Sequence, residues 1–310
     1  MAELSHKLHV IFKDPKKILA MGWRRASKLI KSDKKYLSVY YYLKMGQKLN
    51  ITKPITFQEK LQWLKLNDRN PSYSQMADKY EVRKIIEKKI GEEYLIPLLG
   101  VWENFNEIDF EILPEQFVLK TTHDSGSIVV VKNKNKFLNS RALKKANDKL
   151  SVALKYNYFY AGREYQYKNL KPRIIAEKFM QDTKQNDLLD YKFFCFSGVP
   201  RLVFIASDRF KGGIPKFDFY DMDFNKMPFI AKGHPQAAYI KKPDNFDQMV
   251  SIASKLSQGI PHVRIDLYSI NGNIYFGEFT FFHDGGFVPF VPEKWNKILG
   301  EWIELPSKRN

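Results

Sequence analysis

Two pairs of polar side chains alternate with apolar ones along residues 263–281, and their types suit metal binding. Arg264 and Asp266 belong to the first apolar run, and Glu278 and Thr280 belong to the second. Strand side chains alternate between two faces, so each pair projects from one side of its own strand. Two carboxylates that lie side by side repel each other unless a cation neutralises them. The pattern therefore indicates a divalent cation held by oxygen ligands.

The turn between the two runs decides whether the carboxylates share a face. Residues 271–272 are Asn-Gly, which tolerates the positive φ of a tight turn. A two-residue loop there sets Asp266 opposite Gly277, whereas a three-residue loop over residues 271–273 sets Asp266 opposite Glu278. In the second register the two carboxylates suit Mg²⁺ that carries a nucleotide's phosphates. The alternative is the solvated polar face of an ordinary hairpin.

A second informative stretch, residues 117–131, predicts a strand, a small polar loop and another strand. The first strand ends at Lys120, and the loop is rich in Thr, Ser and Gly. Backbone N–H groups and hydroxyls in such a loop can hold phosphates, and Lys120 adds a positive charge. The Gly-Lys-Ser/Thr of a Walker loop is missing. The alternative is a plain hairpin with a polar turn.

The elements that must position these residues alternate between helices and strands. Thr56 and Glu59 form a predicted capping box before a helix at 61–66. Gly91 ends a second predicted helix at 78–90. The remaining predictions are helices at 139–160, 247–258 and 295–302, a strand or extended link at 94–99, strands at 172–180, 192–196 and 201–207, and mixed strand and turn at 215–229.

Composition narrows the class of protein without naming a ligand. The chain has 310 residues, a net charge of +17 and 44% apolar residues, which fits a globular protein attracted to anions. The single cysteine, Cys195, excludes an internal disulfide and a cysteine-based zinc site. We interpret Cys195 as a core residue rather than a nucleophile. No signal peptide and no apolar run of membrane-spanning length is recognised, so the expected location is cytoplasmic.

The N-terminal 50 residues are basic and contain aromatic side chains at roughly helical spacing. Residues 7–35 include Phe12, Trp23 and Leu29 among many lysines and arginines. An amphipathic helix of this kind can lie on the inner face of an anionic membrane, as a peripheral contact. The alternative is a helix packed on the protein body with its basic face in water.

Several segments together resemble one family, the ATP-grasp proteins. The resemblance is strongest to the TupA-like branch, found in gene clusters for teichuronopeptide, capsule and other surface polysaccharides, and it covers roughly residues 51–305. The segments that carry it are Lys120 with its Ser/Gly loop, Ile174-Ile-Ala-Glu-Lys178, Asp190-Tyr-Lys-Phe-Phe194, Arg264-Ile-Asp-Leu-Tyr268, Gly277-Glu-Phe-Thr-Phe281, Asp78-Lys-Tyr-Glu-Val-Arg-Lys84, Tyr94-Leu-Ile-Pro-Leu-Leu-Gly100 and Phe219-Tyr-Asp-Met-Asp-Phe224.

The resemblance implies an α+β ATP-grasp fold, in which two α+β subdomains clamp ATP. The expected organisation is a helical basic N-terminal segment at 1–50, a helical region at 51–112, a subdomain with the phosphate flap at 113–180 and a C-terminal subdomain with the magnesium site at 181–310.

The same resemblance implies roles for named residues, with ATP and Mg²⁺ as cofactors. Lys192 and Arg264 are the expected catalytic residues near the phosphates. Thr280 departs from the family pattern, because many members have asparagine there. The full assignment is Lys120 for the α- and β-phosphates, His123, Ser125, Gly126 and Ser127 for the flap, Glu177, Lys178 and Phe179 for adenine and ribose, Lys192 and Arg264 for the phosphates, Asp266, Glu278 and Thr280 for the metal, and residues 283–286 for the acceptor side.

The implied activity is an ATP- and Mg²⁺-dependent carboxylate–amine ligase of surface-polysaccharide assembly. Its acceptor would be an amino acid or a sugar acid, presented alone or on an anionic polysaccharide or lipid-linked precursor. The alternative is a glycosyltransferase, for which Asp221 and Asp223 superficially resemble a metal-binding Asp-x-Asp pair. Nucleic-acid binding would depend on charge alone and is not expected.

Overall fold

A computed structural model describes residues 15–183, 189–207, 215–237 and 239–307. The α-helices in this part of the chain are α1 (Pro15–Arg25), α2 (Asp33–Met45), α3 (Phe57–Asn67), α4 (Ser72–Ala77), α5 (Val82–Lys89), α6 (Lys134–Leu138), α7 (Arg141–Leu154), α8 (Phe159–Gly162), α9 (Phe246–Ser257) and α10 (Lys294–Glu301). Short 3₁₀ helices cover Ala26–Leu29, Glu92–Tyr94, Phe105–Glu107, Tyr165–Tyr167 and His283–Gly286.

The strands form two main antiparallel sheets and one small pair, which confirms the predicted α+β class. They are β1 (Leu98–Trp102), β2 (Phe117–Thr121), β3 (Ile128–Val131), β4 (Ile174–Lys178), β5 (Asp190–Phe196), β6 (Val199–Ser207), β7 (Lys216–Tyr220), β8 (Ile230–Ala231), β9 (His262–Ile270), β10 (Asn273–Thr280) and β11 (Phe290–Val291). The domain limits given above stay predictions.

The first sheet has the order β1-β4-β2-β3 and carries the loop expected to bind phosphate between β2 and β3. Apolar residues on one face of β2, Phe117 and Leu119, are fully buried. Helix α7 covers this face with Ala146 and Leu150, which belong to the same core cluster. The helix thereby fixes the sheet from which the flap extends.

The second sheet has the order β10-β9-β5-β6-β7 and carries the carboxylate hairpin at its β10 edge. Helix α9 packs on one face through Met249 and Ala253, which are fully buried. Helix α3 reaches this core with Phe57, whose ring lies 6.1 Å from the ring of Phe194. The predicted capping box of α3 is present, with both of its reciprocal hydrogen bonds.

The hairpin turn between β9 and β10 has two residues rather than three. Ile270 pairs with Asn273, so only residues 271–272 form the loop. Asn271 and Gly272 have φ values of 52° and 88°, as a tight turn of this type requires. The three-residue loop, considered above as the route to paired carboxylates, is therefore wrong.

A β-bulge at Gly277 nevertheless sets the two carboxylates opposite each other. Phe276 still pairs with Leu267, but Glu278 pairs with Asp266, so one residue of β10 has no partner across the strand. A Cβ at position 277 would lie 3.0 Å from the Asp266 carbonyl oxygen. Glycine is the residue that permits this approach, and the bulge shifts the register by the one residue that the short loop removes.

Helix α5 begins later than the sequence predicted. The segment 78–81 is a turn, in which the Asp78 carboxylate accepts the backbone N–H groups of Tyr80 and Glu81 at 2.8 and 3.0 Å. The Asp78 carboxylate therefore stabilises the turn that precedes a helix starting at Val82, and this turn leaves Lys79 outside any helix.

The two N-terminal helices differ in how much of their surface packs on the protein body. Helix α2 packs on the body, because Tyr36 is fully buried and Tyr40 contacts Phe287 with ring centroids 4.8 Å apart. Helix α1 buries only Ala20. The indole of Trp23 donates to the Tyr36 carbonyl at 3.2 Å, so this side chain does not face a membrane. Residues 7–14, including Phe12, lie outside the described residues.

Candidate functional site

Three charged side chains lie in a row across the second sheet. Strand pairing puts Lys192 of β5 and Glu278 of β10 on either side of Asp266 of β9. Lys192 Nζ donates to Asp266 Oδ2 at 2.5 Å and also pairs with Asp190. Antiparallel pairing with side chains on one face is what brings these residues together. The sequence analysis assigned no role to Asp190.

Asp266 is buried and its carboxylate is held by two cations. Arg264 donates to Asp266 Oδ1 and Oδ2 at 2.7 Å each, in a two-pronged contact. Burial by itself raises the pKa of Asp266. The charges of Arg264 and Lys192 lower that pKa by more, so the net shift is downward and the carboxylate stays ionised. Burial lowers the pKa of Arg264, and the charge of Asp266 raises it overall. These residues form a buried ion cage.

The remaining donors of Arg264 reach the end of β10 and the loop after it. Its guanidinium donates to Thr280 Oγ1 at 3.0 Å and to His283 Nδ1 at 2.8 Å. Because Nδ1 accepts this bond, we assign the ring proton of the neutral imidazole to Nε2. Burial lowers the pKa of His283 to about 4. Thr280 therefore supports the arginine, and a role in metal binding stays a prediction.

Glu278 is the more solvent-exposed of the two paired carboxylates. Its side chain is 39% exposed, and its nearest recorded cation is Arg264, with the two atoms 3.6 Å apart. Among the described residues, no group of three or more His, Cys, Asp or Glu side chains is placed to hold a metal alone. Two hard carboxylates fit Mg²⁺ that takes its other ligands from phosphates and water. Glu278 Oε1 accepts a long hydrogen bond from the Thr280 hydroxyl at 3.4 Å, and no donor to Oε2 is recorded among the described residues. Asp266 Oδ1 accepts from Arg264 and keeps a second lone pair.

Lys120 lies on the first sheet and pairs with a residue of the expected adenine linker. Lys120 Nζ and Glu177 Oε2 are 2.5 Å apart, with the two side chains 21% and 10% exposed. Lys178 is exposed, and the Phe179 ring lies 5.8 Å from Lys132 Nζ. The structure thus joins Lys120 to Glu177 across the two middle strands of the first sheet, while the nucleotide contacts of Lys120 and residues 177–179 stay predictions.

The flap between β2 and β3 is organised by an aspartate that the sequence analysis did not single out. The Asp124 carboxylate accepts the hydroxyls of Thr121 and Ser127. Gly126 has a φ of 94°, and an added Cβ there would meet only open space. Ser127 is therefore turned inward, whereas Ser125 is exposed.

His123 has its side chain outside the cleft. The imidazole is buried, and Nε2 lies 3.1 Å from the carbonyl oxygen of Ala153 at the end of α7. The expected phosphate contact of the His123 side chain is therefore not supported by its position. Its backbone still belongs to the flap.

Lys79 joins the flap to the hairpin, and the sequence analysis gave it no role. Its ammonium donates to the carbonyl oxygen of Asp124. Desolvation lowers its pKa, and the nearby charges of Glu278 and Asp124 act in the opposite direction. Lys79 follows Asp78, whose carboxylate holds the turn, and an aspartate of this kind was the local signal that the backbone leaves the helix.

Two other candidate residues do not enter this site. Cys195 is fully buried in β5, and burial raises the pKa of its thiol to about 12, which confirms the core interpretation. Asp221 Oδ1 accepts the backbone N–H groups of Asp223 and Asn225 at 3.0 and 2.7 Å. The Asp-x-Asp segment is thus a turn stabilised by its first aspartate.

Comparison with solved structures finds distant similarity to several ATP-grasp proteins. D-alanine–D-alanine ligase from Bacillus anthracis is 14% identical, with a TM-score of 0.41 over 74% of this chain and 65% of the ligase. A RimK domain ATP-grasp protein from Sphaerobacter thermophilus is 9% identical, with a TM-score of 0.41 over 75% of this chain and 69% of that protein. The ATP-grasp ligase PsnB, complexed with minimal precursor, Mg and ADP, is 11% identical, with a TM-score of 0.38 over 86% and 65% of the two chains.

Comparison with protein families gives a match over most of the sequence. No curated protein matches the chain significantly. A sequence model of the family described as TupA-like ATPgrasp matches residues 59–304, which include the flap, the linker strand and the carboxylate hairpin. The chain therefore belongs to the TupA-like ATP-grasp family.

Proposed function

We propose that this protein is an ATP-dependent carboxylate–amine ligase. The observation that carries the proposal is the convergence of Lys79, Lys192 and Arg264 with Asp266 and Glu278 between the flap and the hairpin. Cations gathered beside two carboxylates suit a polyphosphate with its metal ion. Membership of the ATP-grasp family supports the same assignment.

In the proposed reaction, cationic side chains hold the phosphates while the substrate carboxylate attacks. A carboxylate oxygen forms a bond to the γ-phosphorus, the bond to the bridging oxygen breaks, and ADP leaves with the electron pair. The neutral acceptor amine then attacks the carbonyl carbon, its C–N bond forms, the carbon–oxygen bond to phosphate breaks, and the nitrogen releases one proton to solvent as the amide forms. Lys120 and Lys192 bind phosphate oxygens, and Arg264 stabilises the charge on the transferring group. No enzyme nucleophile is required.

Asp266 and Glu278 are the residues that would hold Mg²⁺. When bound, the ion supplies positive charge against the phosphate oxygens. Arg264 and Lys192 keep Asp266 ionised in its buried position, so its carboxylate does not depend on the ion for neutralisation.

The finer proposal places the reaction in surface-polysaccharide assembly, with an amino acid or a sugar acid as a substrate. The resemblance to the TupA-like branch and the net charge of +17 support an anionic acceptor, such as a polysaccharide or lipid-linked precursor.

Full-length protein with MgATP should be screened against amino acids and uronic acids, with ADP measured by coupled assay and the amide sought by mass spectrometry. We expect ADP release that depends on a carboxylate and an amine together. The Lys120→Met variant should lose this release, whereas the exposed Lys136→Met variant should keep it. Transfer of a sugar from a sugar nucleotide to an acceptor, with release of UDP or GDP and no ADP, would instead establish the glycosyltransferase alternative.

We also propose peripheral contact of α1 with an anionic membrane. Ile18, Leu19 and Met21 are 42%, 60% and 47% exposed, and Arg24 and Arg25 end the same helix. No described helix has the length and apolarity needed to cross a membrane. Basic residues near an anionic surface contribute about 1 kcal/mol each, and less as salt rises. Sedimentation with anionic and neutral vesicles tests this, and Leu19→Ser should reduce binding only if α1 makes the contact.

A further inference from the structure

The segment 158–167, which we call the tyrosine segment, lies between α7 and β4 and has no role in the ATP site described above. Arg163 anchors it to the N-terminal helices. Its buried guanidinium donates to the Ile30 carbonyl at 2.8 Å and pairs with Asp33 at 3.2 Å. Arg163 has a left-handed backbone, with φ of 57°. This anchoring fixes the position of the next residue, Glu164.

Glu164 is a partly exposed carboxylate that forms no ion pair with a cation of the described residues. Its Oε2 accepts a hydrogen bond from Gln166 at 3.2 Å, and no donor to Oε1 is recorded among the described residues. Desolvation raises the pKa of Glu164, and the charge of Lys65 acts in the opposite direction. A Cβ at position 285 would lie 3.7 Å from Oε1, so this oxygen lies beside the loop after β10. A carboxylate there gains from a cation that reaches it.

Lys65 lies near Glu164, but its ammonium is hydrogen-bonded to another residue. Its ammonium donates to the Gly285 carbonyl at 2.7 Å. A Cβ at position 162 would lie 3.0 Å from Glu164 Oε1 and 3.7 Å from Lys65 Nζ. No ion pair within 4.0 Å joins the two side chains in the described parts of the chain. Lys65 therefore offsets the charge of Glu164 at a distance, and Oε1 stays available.

Two tyrosines connect Glu164 to the proposed phosphate site. The rings of Tyr158 and Tyr167 meet edge to face, with centroids 5.0 Å apart. Burial raises the pKa of Tyr167 well above its usual value, and the charges of Glu164 and Glu278 add to this effect. The Tyr158 side chain interacts with Ser125 of the flap. The tyrosines thus lie near Glu164, with Tyr158 beside the flap and Tyr167 within range of the Glu278 charge.

We propose that Glu164, with Tyr158 and Tyr167, forms a subsite that binds the ammonium group of the acceptor amine. The proposal rests on the ligase function given above. A charge-assisted hydrogen bond to Oε1 would hold the ammonium, with the two tyrosine rings close by. A hydroxyl acceptor would leave the carboxylate uncompensated, so the subsite selects amines.

The test uses full-length protein loaded with ADP and two probes of nearly the same shape. Glycinamide carries an ammonium group, and propionamide has a methyl group in its place. Saturation-transfer NMR titrations measure the affinity of each probe at neutral pH. We expect the parent protein to bind glycinamide about tenfold more tightly than propionamide, a preference typical of one charge-assisted contact.

The Glu164→Gln variant should lose this preference, because the amide keeps the shape and removes the charge. The matched control is Glu87→Gln, since Glu87 is an exposed carboxylate on α5, and it should keep the preference. ADP affinity and thermal stability of Glu164→Gln are measured to confirm that the variant is folded. A parent without the preference, or a Glu164→Gln variant that retains it, would overturn the subsite.

These titrations need no turnover, so they are independent of the ligase assay. A protein that shows the preference but releases no ADP with any substrate pair would contradict the ligase proposal and leave the cation subsite in place. ADP release with unchanged amine KM in Glu164→Gln would contradict the subsite and leave the ligase proposal in place.

Discussion

The Asp266→Asn substitution should destabilise the fold as well as remove phosphate chemistry. The new side chain has the same shape, so the sequence alone predicts little effect on folding. In the structure, however, Asp266 is 1% exposed, with Arg264 at 2.7 Å and Lys192 at 2.5 Å. Removing its charge leaves two buried cations whose other recorded carboxylate contacts are Asp190 for Lys192 and, at 3.6 Å, the more exposed Glu278 for Arg264. Breaking a buried ion pair in this way costs about 3–5 kcal/mol.

The matched variant is Glu278→Gln, which makes the same chemical change on the neighbouring strand. Glu278 is 39% exposed and lies 3.6 Å from Arg264, so its amide should cost about 1 kcal/mol or less. Urea unfolding followed by tryptophan fluorescence measures both, because Trp63, Trp295 and Trp302 pack on the core of the second sheet. We expect both variants to lose ATP turnover and only Asp266→Asn to lose several kcal/mol. Equal free energies of unfolding for the two variants would refute the buried ion cage.

Three further predictions concern the bulge, the flap and a buried histidine. Gly277→Ala should cost about 1–3 kcal/mol and reduce turnover, because its Cβ would lie 3.0 Å from the Asp266 carbonyl oxygen and 3.1 Å from the Tyr268 ring; Gly22→Ala, at an open helical position, is the control in the same unfolding and turnover assays. Lys120→Met should weaken ATP binding by about 10- to 100-fold in calorimetric titration, the range expected for losing one hydrogen bond to a charged group, and an unchanged affinity would remove Lys120 from the phosphate site. Burial lowers the pKa of His262 to about 3, below its unfolded value near 6.5, so the stability that neutral His262 maintains at pH 7 should fall by about 2 kcal/mol by pH 5; His262→Phe should flatten this part of the curve of unfolding free energy against pH, and an unchanged slope would contradict the assignment.

The sequence predicted the hairpin and its paired carboxylates, but it did not predict how the pairing arises. Period-two alternation shows which residues share a face within one strand, and the loop length was expected to set the register between strands. Here the two-residue loop and the Gly277 bulge shift the register by one residue each, in opposite directions. A glycine within a strand was the available signal, because it commonly marks a bulge.

Contacts between distant parts of the chain account for what the sequence could not show. Lys79 enters the site because the turn after Asp78 contacts the flap, where the Lys79 N–H donates to the Thr122 carbonyl at 3.1 Å. Glu164, in the link after α8, lies near Lys65 of helix α3, about a hundred residues earlier in the chain. In the sequence, Lys79 and Glu164 look like the charged residues of any solvated surface. Only the tertiary arrangement distinguishes them from such residues. His123 shows the converse, since its place in the flap sequence does not put its side chain in the cleft.

The most direct test of the proposed nucleotide site is calorimetric titration of full-length protein with MgATP, set against MgUTP as a nucleotide of equal charge. The cleft between flap and hairpin should bind MgATP with one site per chain, and the Lys120→Met and Glu278→Gln variants should each weaken that binding while Lys136→Met leaves it unchanged. Equal affinity for the two nucleotides in the parent, or ATP affinity that survives both site substitutions, would contradict the assignment of this cleft to ATP.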